Sequence, residues 1–513
     1  MTEEREDLPK EFDLTVIGTG LTESIVAAAA SRIGKTVLHL DVNEYYGSYW
    51  ASFNLRTLQQ LREDAGEQQE MLESNGMQLW RHSNQVQNVQ QQWHVPPTSD
   101  DGWSVERIMR DCHKFNVDLT PKLLFARGQM VELLISSNIC RYAEFRSVDR
   151  IATLHEGDIK TVPCSRADVF NTKEVTMVEK RMLMKMLETC MQCEEGNEEF
   201  EYNRENTFLQ YLEGKRLPPK LTHYLLDAIS MSNVHTPFEE GIQRVRRFIE
   251  SLGRYGNTPF LFPMYGCGEL PQCFCRLCAV FGGIYCLRRP IERITVNEEK
   301  KLSIEIGQQQ IHTGSIVFGA GTISITGDYQ NRSCLAGLPE MIMPRKCGNM
   351  SRGIFLVSSP LGGKAENTGG GGVALLKLPP PAGVTSDKQG AYVIQLSHYS
   401  GTCPPGIYVI HITCDADIDP RLDLQPYVDQ ILTTADGDED EKPHILYSLY
   451  FTIPQCFKCD NYDKLPDGIH LACGPYLELD YDTSINQGRE LFHKIYPDEE
   501  FLPRCPEPEE IVF

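Results

Sequence analysis

The spacing of apolar residues changes along the chain, and each spacing predicts a different kind of element. Short apolar runs at 14–17 and 36–40 flank an Ala-rich segment from Leu21 to Ile33, which is typical of a strand, a helix and a second strand. After residue 300, apolar and polar residues alternate, which predicts an antiparallel sheet. The strands predicted for this sheet are 302–306, 316–318, 354–357, 392–396, 407–412 and 446–451.

The middle of the chain has the spacing of amphipathic helices. Between Ser104 and Cys140, apolar residues that include Leu123 and Leu124 recur about every 3.6 positions. Short strands are predicted at 143–145, 151–154 and 159–162, and further helices at 175–193, 208–212, 221–231 and 241–252. Residues 62–100 are rich in Gln, Glu and Asn, which predicts a loosely ordered insertion carrying one polar helix.

The first strand ends in a turn, Gly18-Thr19-Gly20, of the kind that opens a dinucleotide-binding βαβ unit. The third position of that motif is Glu23 rather than glycine. A carboxylate there satisfies the positive end of the helix and repels a diphosphate, so the turn is predicted to be vestigial and no cofactor is expected. The alternative is a working cofactor site, because Asp41 stands where a ribose-binding acid belongs.

Four aromatic residues follow the second strand, and two interpretations of them remain open. Tyr45, Tyr46, Tyr49 and Trp50 either pack at the edge of the fold or form a surface that contacts another protein.

Several of these stretches resemble the family of Rab escort proteins and Rab GDP-dissociation inhibitors. The sequences GTGLTES and LDVNEYYGSYWASFN resemble its first conserved region, and within it the sequence YWASF is closer to the escort branch of the family. The block RYGNTPFLFPMYGCGELPQCFCRLCAVFGGIYCL at 254–287 resembles the other half of its GTPase-binding platform. Segments 116–145 and 163–171 extend the resemblance over most of the chain to about residue 300.

The resemblance implies an α/β fold of the FAD-dependent-oxidoreductase type, with a dinucleotide-binding fold, an antiparallel sheet and an inserted all-helical domain. The larger, discontinuous domain is expected at 1–163 and 255–513, and the helical domain at 164–254. The platform residues implied by the resemblance are Tyr46, Glu269, Arg276, Ile284 and Cys286. Relatives carry Thr and Met where this chain has the last two, so these two contacts are the weaker inference.

The helix predicted at 175–193 is rich in methionine, a side chain that repacks easily around an irregular apolar guest. On the spacing alone, a hydrophobic core is the better interpretation of this helix. By resemblance, this region receives the isoprenoid of the GTPase and docks the prenyltransferase. The residues expected to do so are Met182, Met186, Leu187 and Cys190.

Composition limits the alternatives. A net charge of −22 argues against nucleic acid as a partner and suits a basic peptide or tail. Eighteen cysteines without a secretory signal suggest reduced thiols and a cytosolic location, and none combines with His at convincing zinc spacing. No hydrolase motif is present, and no CxxC pair is placed for redox work beside the βαβ unit, so no catalytic residues are predicted.

The expected function is therefore that of a non-catalytic escort for Rab GTPases. It would bind them GDP-loaded, before and after prenylation, present them to the geranylgeranyltransferase heterodimer, hold the isoprenoid, and contact membranes transiently. A GDP-dissociation inhibitor of prenylated Rabs is the alternative within the family. A flavin oxidoreductase is the more distant alternative.

Overall fold

The computed structural model describes residues 8–61, 86–100, 102–164, 168, 172, 175–289, 291, 293–296, 301–319, 348–363, 371–381, 389–434, 442–455 and 467–504. Strands and helices are numbered here in chain order. The helices are α1 Leu21–Arg32, α2 Val105–Arg110, α3 Gln129–Ser136, α4 Met177–Gln192, α5 Glu198–Asn203, α6 Phe208–Gly214, α7 Pro219–His223, α8 Phe238–Ser251, α9 Glu269–Val280, α10 Pro420–Ile431 and α11 Asp482–Ile495. Residues 55–61 are also helical.

The N-terminal βαβ unit belongs to a mixed seven-stranded sheet in the order β11-β2-β1-β14-β13-β12, with β20 also paired to β14. Strands β1, β2, β11, β14 and β20 run parallel to one another, whereas β13 is antiparallel to both β14 and β12. The strands are β1 Glu11–Ile17, β2 Val37–Leu40, β11 Ile284–Cys286, β12 Arg293–Val296, β13 Leu302–Ile306, β14 Gln309–Gly319 and β20 Ile469–Ala472.

Helix α1 is buried because other helices cover it. Its residues from Ala27 to Ala30 are fully buried, and their small side chains let α9 and α11 pack closely against it. The contact with α11 is tight at Gly488, where a Cβ would lie 3.0 Å from Ile25 Cγ2. The predicted strand, helix and strand at 14–40 are confirmed.

The predicted antiparallel sheet is present, but two of the strands predicted for it, 302–306 and 316–318, are wrong: they belong to the mixed sheet as β13 and part of β14, because these strands pair with each other and β14 pairs with β1. The antiparallel sheet has eight strands in the order β4-β19-β15-β18-β17-β16-β8-β9, and α10 packs on β15, β18 and β19. The strands are β4 Gln87–Trp93, β8 Arg150–His155, β9 Asp158–Thr161, β15 Gly348–Val357, β16 Ala374–Leu378, β17 Ala391–Leu396, β18 Tyr408–Asp415 and β19 Ile445–Gln455. Two smaller sheets pair β3 Ser52–Phe53 with β5 Val117–Asp118, and β10 Phe260–Pro263 with β6 Leu124–Phe125 and β7 Phe145–Ser147.

Two local predictions are wrong. The loosely ordered insertion predicted at 62–100 contains β4, a polar strand at the sheet edge that is held by backbone pairing with β19 rather than by burial. Residues 62–85 lie outside the described part of the chain. Leu123 and Leu124 lie in and beside β6 rather than in a helix, because Leu124 pairs with Leu261.

The segment from α4 to α8 is built from helices, and polar side chains attach it to the antiparallel sheet. Helix 221–231 of the prediction is instead α7 followed by a π-helical turn, Tyr224–Ile229. Lys377 of β16 donates from Nζ to the carbonyls of Met231 and Ser232, at 2.7 and 2.9 Å. His223 contacts Thr153 Oγ1 through Nε2 and Asp227 Oδ2 through Nδ1, both at 2.7 Å. The domain boundaries at 163/164 and 254/255 stay a prediction.

Candidate functional site

The glycine turn after β1 is filled by a side chain from the helix that follows it. Glu23 is buried, and its carboxyl group lies against both Gly20 and Gly319. A Cβ on Gly20 would lie 2.6 Å from Glu23 Oε2, and one on Gly319 would overlap Oε1. Burial raises the pKa of this carboxyl to about 8, and Asp41 adds a smaller increase. Glu23 is therefore protonated at neutral pH and fills the space in which a diphosphate would lie. It excludes that group by occupying its place, and the charge repulsion expected from the sequence is wrong.

Asp41, the expected ribose-binding acid, is fully engaged within the protein. Its Oδ2 accepts hydrogen bonds from the N–H and hydroxyl of Thr19, at 2.9 and 2.6 Å. Its Oδ1 accepts from the N–H and side-chain amide of Asn43, at 2.9 and 3.0 Å. A ribose diol would have to displace these bonds, so the described residues do not fit an adenine dinucleotide. Gly319, the last residue of β14, also contributes to the closure of the glycine turn.

A buried histidine connects the closed turn to the surface beside it. His39 Nε2 lies 2.5 Å from the Gly18 carbonyl, and Nδ1 lies 2.8 Å from Tyr285 Oη. Burial lowers the pKa of His39 to about 4, so the ring is neutral. A carbonyl can only accept, so Nε2 carries the proton and Nδ1 accepts from the Tyr285 hydroxyl. This chain of hydrogen bonds fixes Tyr285 relative to the turn.

The aromatic cluster after β2 divides between packing and surface. Tyr49 and Trp50 are buried, and Trp50 stacks on Tyr481 with ring centroids 5.6 Å apart. Tyr45 packs edge-on against Phe53. Tyr46 is half-buried and meets Tyr285 at 6.1 Å between ring centroids. The packing interpretation therefore holds for Tyr45, Tyr49 and Trp50, whereas Tyr46 lies at the surface.

Tyr46 lines a cavity of about 310 Å³, which we call the platform pocket. The pocket brings together Tyr46, Glu269 and Arg276, three of the platform residues implied by the resemblance. It is lined by Tyr46, Tyr142, Glu269, Gln272, Cys273, Cys275, Arg276, Ala279 and Tyr285. Gln272, Arg276 and Ala279 form the exposed face of α9.

The start of α9 is held against the aromatic loop by a compact hydrogen-bond network. Asp118 Oδ1 accepts from Ser52 Oγ at 2.5 Å and from the Cys267 N–H at 2.8 Å. Ser52 Oγ in turn accepts from the Gly268 N–H at 2.9 Å. Gly266 has a φ of 105°, and a Cβ there would lie 2.5 Å from Ser52 Oγ, so glycine is needed for this approach. The network therefore fixes Glu269 relative to the loop that carries Tyr46.

The two charged residues of the platform pocket have no ionic partner within the described residues. Glu269 is half-buried, and burial raises the pKa of its carboxyl. The Arg276 guanidinium lies over the ring of Tyr142, with 4.6 Å between its carbon and the ring centroid. A carboxylate and a guanidinium that line one pocket together with three tyrosines, and that form no ion pair among the described residues, can each pair with a charged group of another molecule.

Ile284 and Cys286 are half-buried on β11 and do not line the platform pocket. Successive side chains of a strand point to opposite faces, so both lie on the face opposite Tyr285. Cys286 still lies near Tyr46. Burial raises the pKa of the Tyr46 hydroxyl, and Cys275, Asp41 and Cys286 add smaller increases. The structure thus places both residues outside the pocket, with Cys286 near Tyr46.

Helix α4 buries part of the set expected to bind lipid or transferase. Met186 and Cys190 are buried and face the core, while Met182 and Leu187 are half-buried. The exposed apolar side chains of this helix are Met177, Val178 and Met184. In this conformation, Met186 and Cys190 serve helix packing. Of the expected set, Met182 and Leu187 reach the surface in part.

Sequence reasoning missed Tyr142, Tyr285 and Gln272. Tyr142 follows a short 3₁₀ turn, Ile139–Arg141, far from α9 in the sequence, and no periodicity links it to Arg276. Over the described ranges, no three His, Cys, Asp or Glu side chains are grouped to hold a metal ion. The helices described are too short or too polar to cross a membrane.

Comparison with known proteins identifies relatives over almost the whole chain. The family model described as GDP dissociation inhibitor matches residues 8–79 and 97–438. A Drosophila melanogaster protein named Rab proteins geranylgeranyltransferase component A is 44% identical, over 99% of this chain and 93% of the relative. Guanosine nucleotide diphosphate dissociation inhibitor 1 of Arabidopsis thaliana is 26% identical, over 89% of this chain and 91% of the relative.

Two solved structures show the same fold. A Rab GDI from Plasmodium falciparum matches with a TM-score of 0.66 and 17% identity, covering 96% of this chain and 100% of that chain. An oxidoreductase from Methanosarcina mazei matches with a TM-score of 0.50 and 12% identity, covering 90% and 94%. The expected FAD-dependent-oxidoreductase-like architecture is thereby confirmed.

Proposed function

Because the chain belongs to the GDP dissociation inhibitor family, we propose that it is a Rab escort protein, a non-catalytic accessory component of Rab geranylgeranylation. It binds newly made, GDP-loaded Rab GTPases and presents them to the geranylgeranyltransferase heterodimer. It then holds the prenylated product and delivers it to membranes, working from the cytosol. The observation that carries this proposal is the platform pocket, which three tyrosines line together with a carboxylate and a guanidinium that form no ion pair among the described residues.

The escort role is favoured over the recycling role by the pattern of identity. The relative named as a geranylgeranyltransferase component shares 44% of its residues with this chain, against 26% for the dissociation inhibitor. A dissociation inhibitor that extracts only prenylated Rabs is the second candidate, supported by the likeness to the Rab GDI structure. Binding to unprenylated Rab and to the transferase distinguishes the two. A flavin oxidoreductase is disfavoured by Glu23 and Asp41, and flavin bands in the absorption spectrum of the purified protein would contradict this.

The platform is proposed to include Tyr46, Glu269 and Arg276, with Ile284 and Cys286 at its margin. The helical segment from α4 to α8 is proposed to receive the isoprenoid and to dock the transferase. For that role, Met182 and Leu187 are accessible in part, whereas Met186 and Cys190 would require the helices to separate. Burial of a lipid chain contributes about 0.8 kcal/mol per CH2. The free-energy cost of partly separating the helices is therefore offset once the chain is bound.

Reconstitution tests the proposed function directly. Purified transferase, a geranylgeranyl donor and an unprenylated, GDP-loaded Rab are combined with and without this protein, and incorporation of the lipid into the Rab is measured. We expect incorporation to depend on the protein. Equal incorporation in its absence would refute the escort role, and binding restricted to prenylated Rab would favour the dissociation inhibitor.

Replacing Tyr46 or Arg276 by Ala is expected to weaken Rab binding by roughly 1–3 kcal/mol, the range for residues that dominate an interface. The reason is that each lines the platform pocket and keeps a surface open to the partner. Titration of labelled GDP-loaded Rab measures the effect. Arg110→Ala is the matched control, because the Arg110 side chain is 73% exposed on α2 and does not line the pocket. Unchanged affinity in both pocket variants would remove the platform assignment.

A further inference from the structure

Tyr142 stands out among the residues of the platform pocket because of how it contacts Arg276. The guanidinium lies 4.6 Å above the ring centroid, and within the described residues Arg276 has no ion pair that would otherwise orient it. Tyr142 itself is 37% exposed and lines the same pocket. It thus combines a surface position with a contact to a charge expected to meet the partner.

The position of Tyr142 is set by the chain on both sides of it. Its N–H donates to the Ile139 carbonyl at 2.8 Å and closes the 3₁₀ turn. Two residues further on, the Glu144 carbonyl accepts from the Met264 N–H at 2.8 Å, close to the start of α9. The backbone on which Tyr142 is mounted is therefore tied to the same structure that carries Arg276.

Stacking an arginine on an aromatic ring leaves its N–H groups available in the guanidinium plane. A free arginine side chain samples many rotamers, and ordering it at an interface opposes binding. An aromatic face beneath the guanidinium restricts it before the partner arrives, while the in-plane donors remain open to an acceptor.

We propose that Tyr142 is a further partner-contacting residue of the platform and that it positions Arg276 for binding. This inference rests on the proposed function, since it concerns the surface assigned to the Rab GTPase. Tyr142 lies in a segment that is distant in sequence from both the loop that carries Tyr46 and helix α9. The surface thereby extends from the aromatic loop and α9 to the 3₁₀ turn at Ile139–Arg141.

A double-mutant cycle tests the inference, with labelled GDP-loaded Rab titrated at low and high salt. Tyr142→Leu keeps an apolar side chain but removes the ring, and we expect it to weaken binding roughly threefold to tenfold. Tyr142→Phe keeps the ring and is expected to bind within about twofold of the unmodified protein. In an Arg276→Ala background, Tyr142→Leu is expected to lower the affinity further by no more than about twofold, because the guanidinium that Tyr142 positions is absent. The salt dependence of binding should fall with Arg276→Ala and, in part, with Tyr142→Leu.

Two controls separate binding from folding. Tyr202→Leu removes an aromatic ring that is 85% exposed on α5, and both this variant and Tyr142→Leu should keep the unfolding midpoint of the parent. Loss of affinity of the same size in the presence and absence of Arg276 would overturn the positioning role, and full affinity of Tyr142→Leu would overturn the inference altogether. If Arg276→Ala binds Rab with unchanged affinity, the platform assignment fails as well. If only Tyr142→Leu keeps full affinity, the inference about Tyr142 fails and the platform assignment stands.

Discussion

Replacing Glu23 by Gln is expected to raise the free energy of unfolding at pH 7 by roughly 3 kcal/mol. The carboxyl has a pKa of about 8 in the folded protein and an ordinary value of 4.5. At pH 7, the unfolded chain has released the Glu23 proton, whereas folding requires the side chain to take it up again. Gln has nearly the same shape and no proton to take up. The variant should therefore avoid this cost while still filling the space beside Gly20 and Gly319.

The difference in free energy of unfolding between Glu23→Gln and the parent is expected to depend on pH. Between about pH 4.5 and 8, the folded protein binds the Glu23 proton and the unfolded chain does not, so stability falls as the pH rises through this window. Below that window both states are protonated, and the two proteins should be equally stable. Urea unfolding at pH 4, 7 and 8.5 measures the difference. Glu188→Gln on the exposed face of α4 is the control and should follow the parent throughout. A constant difference between Glu23→Gln and the parent at all three values would contradict the buried, protonated carboxyl.

Replacing Gly241 by Ala is expected to destabilise the helical segment by about 2 kcal/mol, since overpacking costs up to ~3 kcal/mol and the gain in helix propensity returns ~1 kcal/mol. Gly241 lies in α8 where that helix crosses α6. A Cβ there would overlap Phe208 Cγ and lie 2.5 Å from Phe208 Cβ. Phe208 is fully buried, and its N–H donates to the Thr236 carbonyl, so the ring cannot move aside without moving α6.

Gly214→Ala is the matched control for this helix crossing. Gly214 ends α6, and a Cβ there would meet no atom within 4 Å. The control should therefore be neutral or stabilise by up to ~1 kcal/mol through helix propensity alone. Unfolding midpoints in urea, followed by circular dichroism, compare the two variants. Equal midpoints for both would show that α6 and α8 do not meet at Gly241.

Much of the fold could be predicted because burial imposes a period on the sequence. The alternation in β15 to β19 and the Ala-rich helix α1 were both readable, since their side chains face a core. Strand β4 was not, because a strand at a sheet edge is held by backbone pairing, and its run of Gln and Asn residues looks like an unstructured loop. The π-helical turn after His223 was missed for a related reason: its apolar residues keep a helical spacing while the backbone hydrogen bonds change.

The residues of the candidate site that the resemblance supplied could be named from the sequence. The residues that reach the site only through tertiary contacts could not. Tyr46, Glu269 and Arg276 converge on one pocket as expected. Tyr142 reaches Arg276 only through the turn at Ile139–Arg141, and nothing local in the sequence signals that contact. Helix α4 shows the limit of periodicity in another way, since a methionine-rich face can pack inward, as Met186 does, as readily as it can receive a lipid.

The internal closure of the glycine turn has a consequence for how the protein comes to maturity. Its centre is completed by a side chain encoded in the chain itself, between Gly20 and Gly319. The newly synthesised polypeptide can thus reach its final form without waiting for the cell to supply a coenzyme.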